Sequence, residues 1–183
     1  VGPNRESYTD GKYSFGYIFG TVPTSLKTVT LTGDSIPEKA FYKCGSITSI
    51  LLSGKPTTIG KNAFAQCGIE GIIIPASVTE IGSSAFSDCT SLKNMVIPKG
   101  VVEISSSAFY GCSALEEIDI PDSVKSIGSY AFSNCQQLKS IRLPEGVASV
   151  GDGAFRSCTS LTDVTLHDSI TSMGEEVFDY TAY

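Results

Sequence analysis

The sequence predicts an α/β solenoid, a right-handed β-α superhelix with one parallel sheet and about seven turns of 22–23 residues. Three observations lead to this fold class. The dipeptide Ala-Phe recurs at steps of 23 residues, with one step of 22 and a Val-Phe variant in the last copy. A cysteine stands three residues after the phenylalanine in six of the seven copies, and an apolar triplet precedes every copy. A fixed period of this length is typical of a solenoid, because each repeat buries its apolar face only against its neighbours. The phenylalanines are Phe41, Phe64, Phe86, Phe109, Phe132, Phe155 and Phe178.

The first part of each repeat predicts a β-strand. It reads Leu-x-x-Ile-x-Ile, as in Leu92, Met95 and Ile97, and successive residues of the last three lie on opposite faces of a strand. Equivalent strands stacked at ~4.8 Å would form a parallel sheet with one strand per turn. A proline follows the strand in four repeats, where its missing N–H ends the pairing. These prolines are Pro75, Pro98, Pro121 and Pro144.

The second part of each repeat predicts a return to the core and a short helix. An apolar pair such as Val101 and Ile104 points inward again, and the glycine that usually follows suits a turn with positive φ. The Ala-Phe dipeptide then lies on a short helix or 3₁₀ turn, for example over about 83–87. In the repeat that is one residue short, we expect a tightened loop around Gly68 without loss of the strand.

The repeat pattern divides the chain into two parts. Residues 26–183 form the solenoid, and residues 1–25 form an irregular N-terminal cap or the remnant of a longer chain. The aromatic segment 14–20 would pack over the open end of the first turn, and a functional aromatic patch is the alternative. The chain starts Val-Gly-Pro, which indicates a processed or excised fragment. The absence of a visible signal peptide therefore says little about export.

Charge and composition exclude some classes of partner. The net charge is -6 and the isoelectric point is about 4.7. These values argue against a nucleic-acid-binding protein, because such proteins carry a patch of basic residues. Anionic membrane surfaces are disfavoured for the same reason. No apolar run approaches the 18 residues of a membrane span, so we expect no membrane insertion by this fragment.

The six cysteines predict a ladder of buried free thiols. Stacked side chains keep their Cβ atoms near the ~4.8 Å strand spacing, whereas a disulfide needs about 3.8 Å. Disulfides remain one alternative. A metal is the other, although no histidine accompanies the cysteines and a straight row does not surround a zinc ion tetrahedrally. We expect no metal and no cofactor. The predicted ladder is Cys44, Cys67, Cys89, Cys112, Cys135 and Cys158.

Catalytic chemistry has weak support in the sequence. The single histidine, His167, has Asp163 and Asp168 nearby, and serines are plentiful, so a catalytic triad is conceivable. However, His167 stands where four earlier repeats have proline, which indicates an exposed residue at a strand end. We therefore predict no catalytic residues and no enzyme.

The strand residues that point away from the core form the candidate binding surface. Outward positions of a solenoid sheet often bind partners. Three of them would form an exposed aliphatic stripe beside a charged zone, and an apolar patch with a polar rim is typical of a partner site. The alternative is that these side chains only stabilise the sheet through cross-strand contacts. The candidate residues are Ser49, Leu51, Ile73, Asn94, Val96, Glu117, Asp119 and Arg142.

The complete pattern resembles the BspA-like leucine-rich repeats, also called the Treponema-type class. The hallmark is the strand motif followed by Ile-Gly-x-x-Ala-Phe-x-x-Cys at a period near 23, as in Ile81 to Cys89, and the match covers about residues 26–181. The resemblance implies a leucine-rich-repeat solenoid from a secreted or cell-surface protein with a role in adhesion or protein binding.

Under this resemblance we expect a protein ligand, such as a host extracellular protein. A structural spacer with no ligand of its own is the second hypothesis, and an enzyme-associated domain is a distant third. We favour a protein over a carbohydrate ligand, because the chain has no tryptophan and the predicted sheet columns contain no aromatic residue to stack on a sugar ring.

Overall fold

The computed structural model describes residues 24–183, which form a parallel β-solenoid of about six turns. Thirteen short strands follow one another along this part of the chain. They are β1 (Thr28–Leu31), β2 (Ser49–Leu52), β3 (Thr58–Ile59), β4 (Gly71–Ile72), β5 (Glu80–Ile81), β6 (Asn94–Val96), β7 (Glu103–Ile104), β8 (Glu117–Asp119), β9 (Ser126–Ile127), β10 (Ser140–Arg142), β11 (Ser149–Val150), β12 (Asp163–Thr165) and β13 (Ser172–Met173).

The strands form two rows, because each repeat contributes a strand at two places. The first strand row comprises β1, β2, β4, β6, β8, β10 and β12, and the second strand row comprises β3, β5, β7, β9, β11 and β13. Every pairing is parallel and joins residues one repeat apart, as Ile50 with Ile72 and Met95 with Ile118. Hydrogen bonding divides the two rows into five sheets. The prediction of one parallel sheet is therefore wrong.

The predicted helices are also wrong, because the structure contains no helix in residues 24–183. The predicted β-α superhelix of about seven turns is replaced by a β-solenoid of about six turns. The Ala-Phe segment consists of turns whose N–H groups alternate between two kinds of partner. The N–H of Phe86 donates to the Ala108 carbonyl of the next coil at 2.8 Å. The N–H of Ser87 donates within its own coil, to the Ser84 carbonyl at 3.1 Å. Since alternate donors bind a neighbouring coil, no helical ladder forms.

Left-handed residues explain why a helix does not form. Each coil places two residues, four apart, at positive φ, one just before the Ala (or Val) and one just before the Cys (or Thr). A right-handed helix requires φ of about −63° at every residue, so a residue at positive φ interrupts it. The set is Lys39, Lys43, Asn62, Gln66, Ser84, Asp88, Ser107, Gly111, Tyr130, Asn134, Gly153, Ser157, Glu176 and Tyr180.

The glycine that follows the second strand has a different role from the predicted one. Gly82 and Gly128 do not adopt positive φ. A Cβ at Gly82 would lie 2.8 Å from the backbone nitrogen of Lys61, and one at Gly128 would lie 2.5 Å from that of Ser106. Glycine at this position therefore allows the backbones of successive coils to approach closely.

The core runs the whole length of the described chain as stacked rows of equivalent side chains. The central phenylalanines are fully buried, and the rings of Phe86 and Phe109 stack with centroids 5.5 Å apart and planes within 2°. Inward strand residues such as Leu92, Ile104 and Leu115 complete the core. Each coil thus depends mainly on its two neighbours for burial.

Three further expectations concern the short repeat, the N-terminal cap and membrane insertion. The short repeat keeps its strand β4, and a Cβ at Gly68 would lie 2.2 Å from the Gly45 carbonyl oxygen, so the coils are tight there. The predicted N-terminal cap, residues 1–25, lies outside the described residues except for its last two positions. Within residues 24–183, no helix has the length and apolar character needed to cross a bilayer.

Candidate functional site

The outer surface of the first strand row carries the predicted binding residues in two columns. The register pairs Thr30 with Leu51 and Ser49 with Gly71, and further along it pairs Asn94 with Glu117. Inward residues between them are buried, so the strand alternation is as predicted. All eight candidate side chains are exposed: Ser49, Leu51, Ile73, Asn94, Val96, Glu117, Asp119 and Arg142.

Leu51, Ile73 and Val96 form an aliphatic stripe on this surface. Their exposed fractions are 54%, 85% and 66%. Ile73 directly follows β4, and the pairing of Ile50 with Ile72 places it beside Leu51 in the next coil. Most large aliphatic side chains of the described chain are buried, so three exposed neighbours in successive coils form an apolar patch open to a partner.

A charged zone adjoins the stripe. Val96 pairs with Asp119, so the carboxylate of Asp119 lies one coil beyond the last aliphatic side chain. Glu117 and Arg142 are exposed in the same region, and none of these three side chains forms an ion pair with another of residues 24–183. The charged groups of this zone are therefore available to an external partner.

An exposed ion pair borders the charged zone. The ammonium group of Lys139 donates to Glu116 Oε2 at 2.9 Å. This hydrogen bond, with the attraction between the two charges, lowers the pKa of Glu116 and raises the pKa of Lys139. Solvent screens such a pair, so it contributes little to stability and mainly fixes the side chains of neighbouring coils.

The six cysteines lie in a buried row between the turns and the first strand row. In four coils the thiol lies within hydrogen-bond distance of the phenylalanine carbonyl of the preceding coil, as Cys112 Sγ with Phe86 oxygen at 3.1 Å. The same oxygen accepts the N–H of Cys89 at 3.2 Å. Cys67 contacts the carbonyls of Cys44 and Ile47 instead. The row therefore links adjacent coils through weak S–H donors.

Burial governs the ionisation of these thiols. It raises the pKa of Cys44 to about 11 and those of Cys67 and Cys158 to about 12. Burial likewise raises the pKa of Cys89, Cys112 and Cys135 well above the ordinary value. Since the thiolate is the nucleophile and the metal ligand, the row is unsuited to either role at neutral pH. No cluster within the described range brings together three or more His, Cys, Asp or Glu residues fit to hold a metal.

We expect six free thiols in protein that is denatured without reductant, and very slow labelling of the native protein at pH 8. The physical reasons are the burial of every Sγ and the raised pKa values. Thiol titration with a chromogenic disulfide reagent, with and without denaturant, measures both quantities. Fewer than six thiols after denaturation would show that disulfides had formed, and rapid native labelling would show that the row is open to solvent.

His167 occupies the structural position of the strand-end proline. Its carbonyl accepts the N–H of Ile170 at 3.2 Å, as the Pro144 carbonyl accepts that of Val147 at 3.0 Å. The expectation of an exposed histidine is wrong, because His167 is half-buried. Its ring atom Nε2 is buried and has no hydrogen-bond partner among residues 24–183. A catalytic histidine needs a serine or carboxylate within hydrogen-bond reach of its ring, and no such partner contacts this nitrogen.

A cleft on the turn face, the surface formed by the Ala-Phe segments, was not predicted from the sequence. It is a shallow depression, open to solvent, with a volume of about 350 Å³, and it is lined by three serines and two tyrosines: Ser84, Ser87, Ser107, Tyr110 and Tyr130. These residues come from three different repeats and from two positions within the repeat, two residues before the phenylalanine and one residue after it. The only sequence signal was the presence of tyrosines at turn positions where other coils have small or polar residues.

Comparison with known proteins identifies the family. The family model for BspA-type leucine-rich repeat regions, which spans six copies, matches residues 17–117 and 57–183. The chain belongs to the BspA-type leucine-rich repeat family. No curated protein matches the sequence.

Solved structures of several bacterial proteins share the fold of this BspA-type chain. The leucine-rich repeat protein TpLRR of T. pallidum is 34% identical over 81% of this chain and 73% of its own, with a TM-score of 0.76. A leucine-rich repeat protein from Bacteroides ovatus is 27% identical over 87% of this chain, with a TM-score of 0.65. The pneumococcal vaccine antigen PcpA shares the fold, with a TM-score of 0.51. It is 21% identical over 85% of this chain and 49% of its own.

The BspA-type chain spans about half the length of the Bacteroides ovatus protein, 51% of it. The family that matches is a repeat family, and neither it nor these neighbours is described by a catalytic activity.

Proposed function

We propose that this BspA-type chain is a non-enzymatic protein-binding module of a secreted or cell-surface protein, with a role in adhesion. Family membership supports a binding module, and the resemblance to surface proteins of this class supports the location. The partner is a protein, such as a host extracellular protein. The acidic net charge argues against nucleic acid.

The exposed aliphatic stripe is the observation that carries this proposal. Ile73 is the most exposed large apolar side chain of the described residues, at 85%, and it lies between Leu51 and Val96. Complete burial of such a side chain contributes roughly 1.5–3 kcal/mol. The unpaired carboxylates of Glu117 and Asp119 border the stripe and give the interface a polar rim that would select and orient a partner.

Replacing Ile73 with serine is expected to weaken binding of the partner by at least about tenfold, because tenfold corresponds to about 1.4 kcal/mol. The partner is first identified by capture of host extracellular proteins on immobilised protein followed by mass spectrometry. Its affinity for purified variants is then measured by biolayer interferometry. Val102→Ser is the matched control, because Val102 is an exposed aliphatic residue outside the stripe, at 56%.

The spacer hypothesis predicts a different result. A core that continues through every coil makes a stiff rod, which is what a spacer requires. A spacer has no partner to lose, and its function would tolerate charge and aliphatic changes over the whole surface. Unchanged affinity of Ile73→Ser, together with Leu51→Ser and Val96→Ser, would contradict the stripe as the binding site.

A further inference from the structure

We propose that the cleft between Tyr110 and Tyr130 on the turn face binds a neutral pyranose sugar. This site lies on a different surface from the aliphatic stripe and does not depend on the proposed protein-binding function. The cleft is shallow and open to solvent, and its volume of about 350 Å³ suits one or two sugar rings that stay partly exposed.

Two aromatic rings give the cleft its apolar surface. Tyr110 and Tyr130 are exposed by 37% and 42%, so part of each ring is fixed by the protein and part faces the cleft. The C–H groups on one face of a pyranose ring form an apolar surface that packs against an aromatic ring. The outward columns of the first strand row contain no aromatic residue, so the candidate protein-binding surface offers no ring on which a sugar could stack.

Two glycines shape the rim of the cleft. Twelve of the fourteen left-handed positions carry side chains, so positive φ alone does not explain Gly111 and Gly153. A Cβ at Gly153 would lie 2.6 Å from Cε1 of Tyr130, and one at Gly111 would lie 2.4 Å from Oδ1 of Asp88. Gly153 therefore lets the Tyr130 ring lie against the next coil. Gly111 similarly makes room for the carboxylate of Asp88, the residue after Ser87.

The hydroxyl groups of the cleft are available to a ligand. None of the five lining side chains forms a hydrogen bond with another protein group in the described part of the chain. Serines elsewhere differ, since the hydroxyls of Ser77 and Ser123 donate to carbonyls one coil away at 2.7 and 2.6 Å. An apolar peptide would leave the cleft hydroxyls unsatisfied on burial, which costs about 1–3 kcal/mol for each group, whereas sugar hydroxyls would pair with them.

Local charge selects a neutral sugar. The lining contains no lysine or arginine, Asp88 lies beside the cleft, and the chain has a net charge of -6. A sialylated, sulfated or phosphorylated ligand would therefore meet repulsion. A neutral sugar instead presents hydroxyl donors that the Asp88 carboxylate accepts.

Titration with simple methyl pyranosides tests this proposal. The probes are the methyl glycosides of glucose, galactose, mannose and N-acetylglucosamine, and the readout is the NMR shift of ¹³C-labelled tyrosine rings. At least one sugar is expected to give saturable shifts of the Tyr110 and Tyr130 rings with a millimolar Kd. Tyr130→Ala is expected to weaken binding about tenfold or more, and Tyr130→Phe is expected to retain most of it.

Two further variants separate a site from a general surface effect. Gly153→Ala is expected to weaken binding about as much as Tyr130→Ala, because the new Cβ displaces the ring, while the circular dichroism spectrum stays that of the folded protein. Tyr42→Ala, on the same face but outside the cleft, is expected to bind normally. Shifts that do not saturate, that persist in Tyr130→Ala, or that are absent with every probe would overturn the proposal.

Discussion

Replacing Phe109 with alanine is expected to lower the free energy of unfolding by about 3–5 kcal/mol. The Phe109 ring is fully buried between those of Phe86 and Phe132, with centroids at 5.5 and 5.3 Å. Truncation removes the burial of the ring and both stacking contacts. The N–H of Phe109 donates to the Ala131 carbonyl at 2.8 Å, so the backbone of the coil has little freedom to collapse into the cavity.

Urea denaturation followed by far-ultraviolet circular dichroism measures this loss. Val102→Ala is the surface control and is expected to stay within about 0.5 kcal/mol of the parent protein. Phe178→Ala is the informative comparison, because Phe178 is only half-buried and stacks on one phenylalanine, Phe155. If the loss for Phe109→Ala did not exceed that for Phe178→Ala, the stack would not be the main source of cohesion between coils.

The repeat made the core predictable. Residues that recur at one position of a fixed period occupy one place in every coil, so the inward strand positions followed from spacing alone. Strand alternation likewise placed Leu51, Ile73 and Val96 outside. These conclusions need only the period and the two-residue alternation.

The turn conformation was not predictable from the same pattern. Ala and Phe are compatible with a helix, and nothing in the dipeptide shows that the flanking residues are left-handed. Asn62, Asp88, Gly111 and Gly153 tolerate that conformation, but Lys39 and Tyr130 at equivalent positions do not favour it. Hydrogen bonds to the next coil, such as that from Phe86 to Ala108, decide the conformation, and they exist only once coils are stacked.

The candidate sites differ in the same way. The stripe joins equivalent positions of successive repeats, so it was visible once the repeats were aligned. The cleft instead joins two different columns, with Ser84, Ser107 and Tyr130 two residues before the phenylalanine of their coils and Ser87 and Tyr110 one residue after it. Which of these positions meet depends on the path of the turn, and the turn was predicted wrongly.

Raising the pH from about 9 to 11 is expected to unfold the protein, through ionisation of the buried thiols. Unfolded thiols ionise near their ordinary pKa of 9.0, whereas folding raises the pKa of Cys44 to about 11 and those of Cys67 and Cys158 to about 12. Above pH 9 the folded state therefore holds more protons than the unfolded state. The contribution of the protonated thiols to the free energy of unfolding is fully present below pH 9, and it is lost as the pH rises toward 11–12.

The expected size of this effect is large because the ladder has six members. Each thiol lowers the free energy of unfolding by up to about 1.4 kcal/mol per pH unit between its unfolded and folded pKa values. Six thiols together reach roughly 8 kcal/mol for one unit, which is comparable to the total stability of a typical domain, about 5–15 kcal/mol.

Urea titrations at pH 7 to 11, in the presence of a phosphine reductant, measure the slope of stability against pH. Cys112→Ala combined with Cys135→Ala is the decisive variant. It is expected to be less stable at pH 7, because two buried side chains are truncated, but to lose stability less steeply above pH 9. The slope should decrease by about 1.4 kcal/mol per pH unit for each thiol removed. An unchanged slope would show that groups other than the thiol row govern alkaline unfolding.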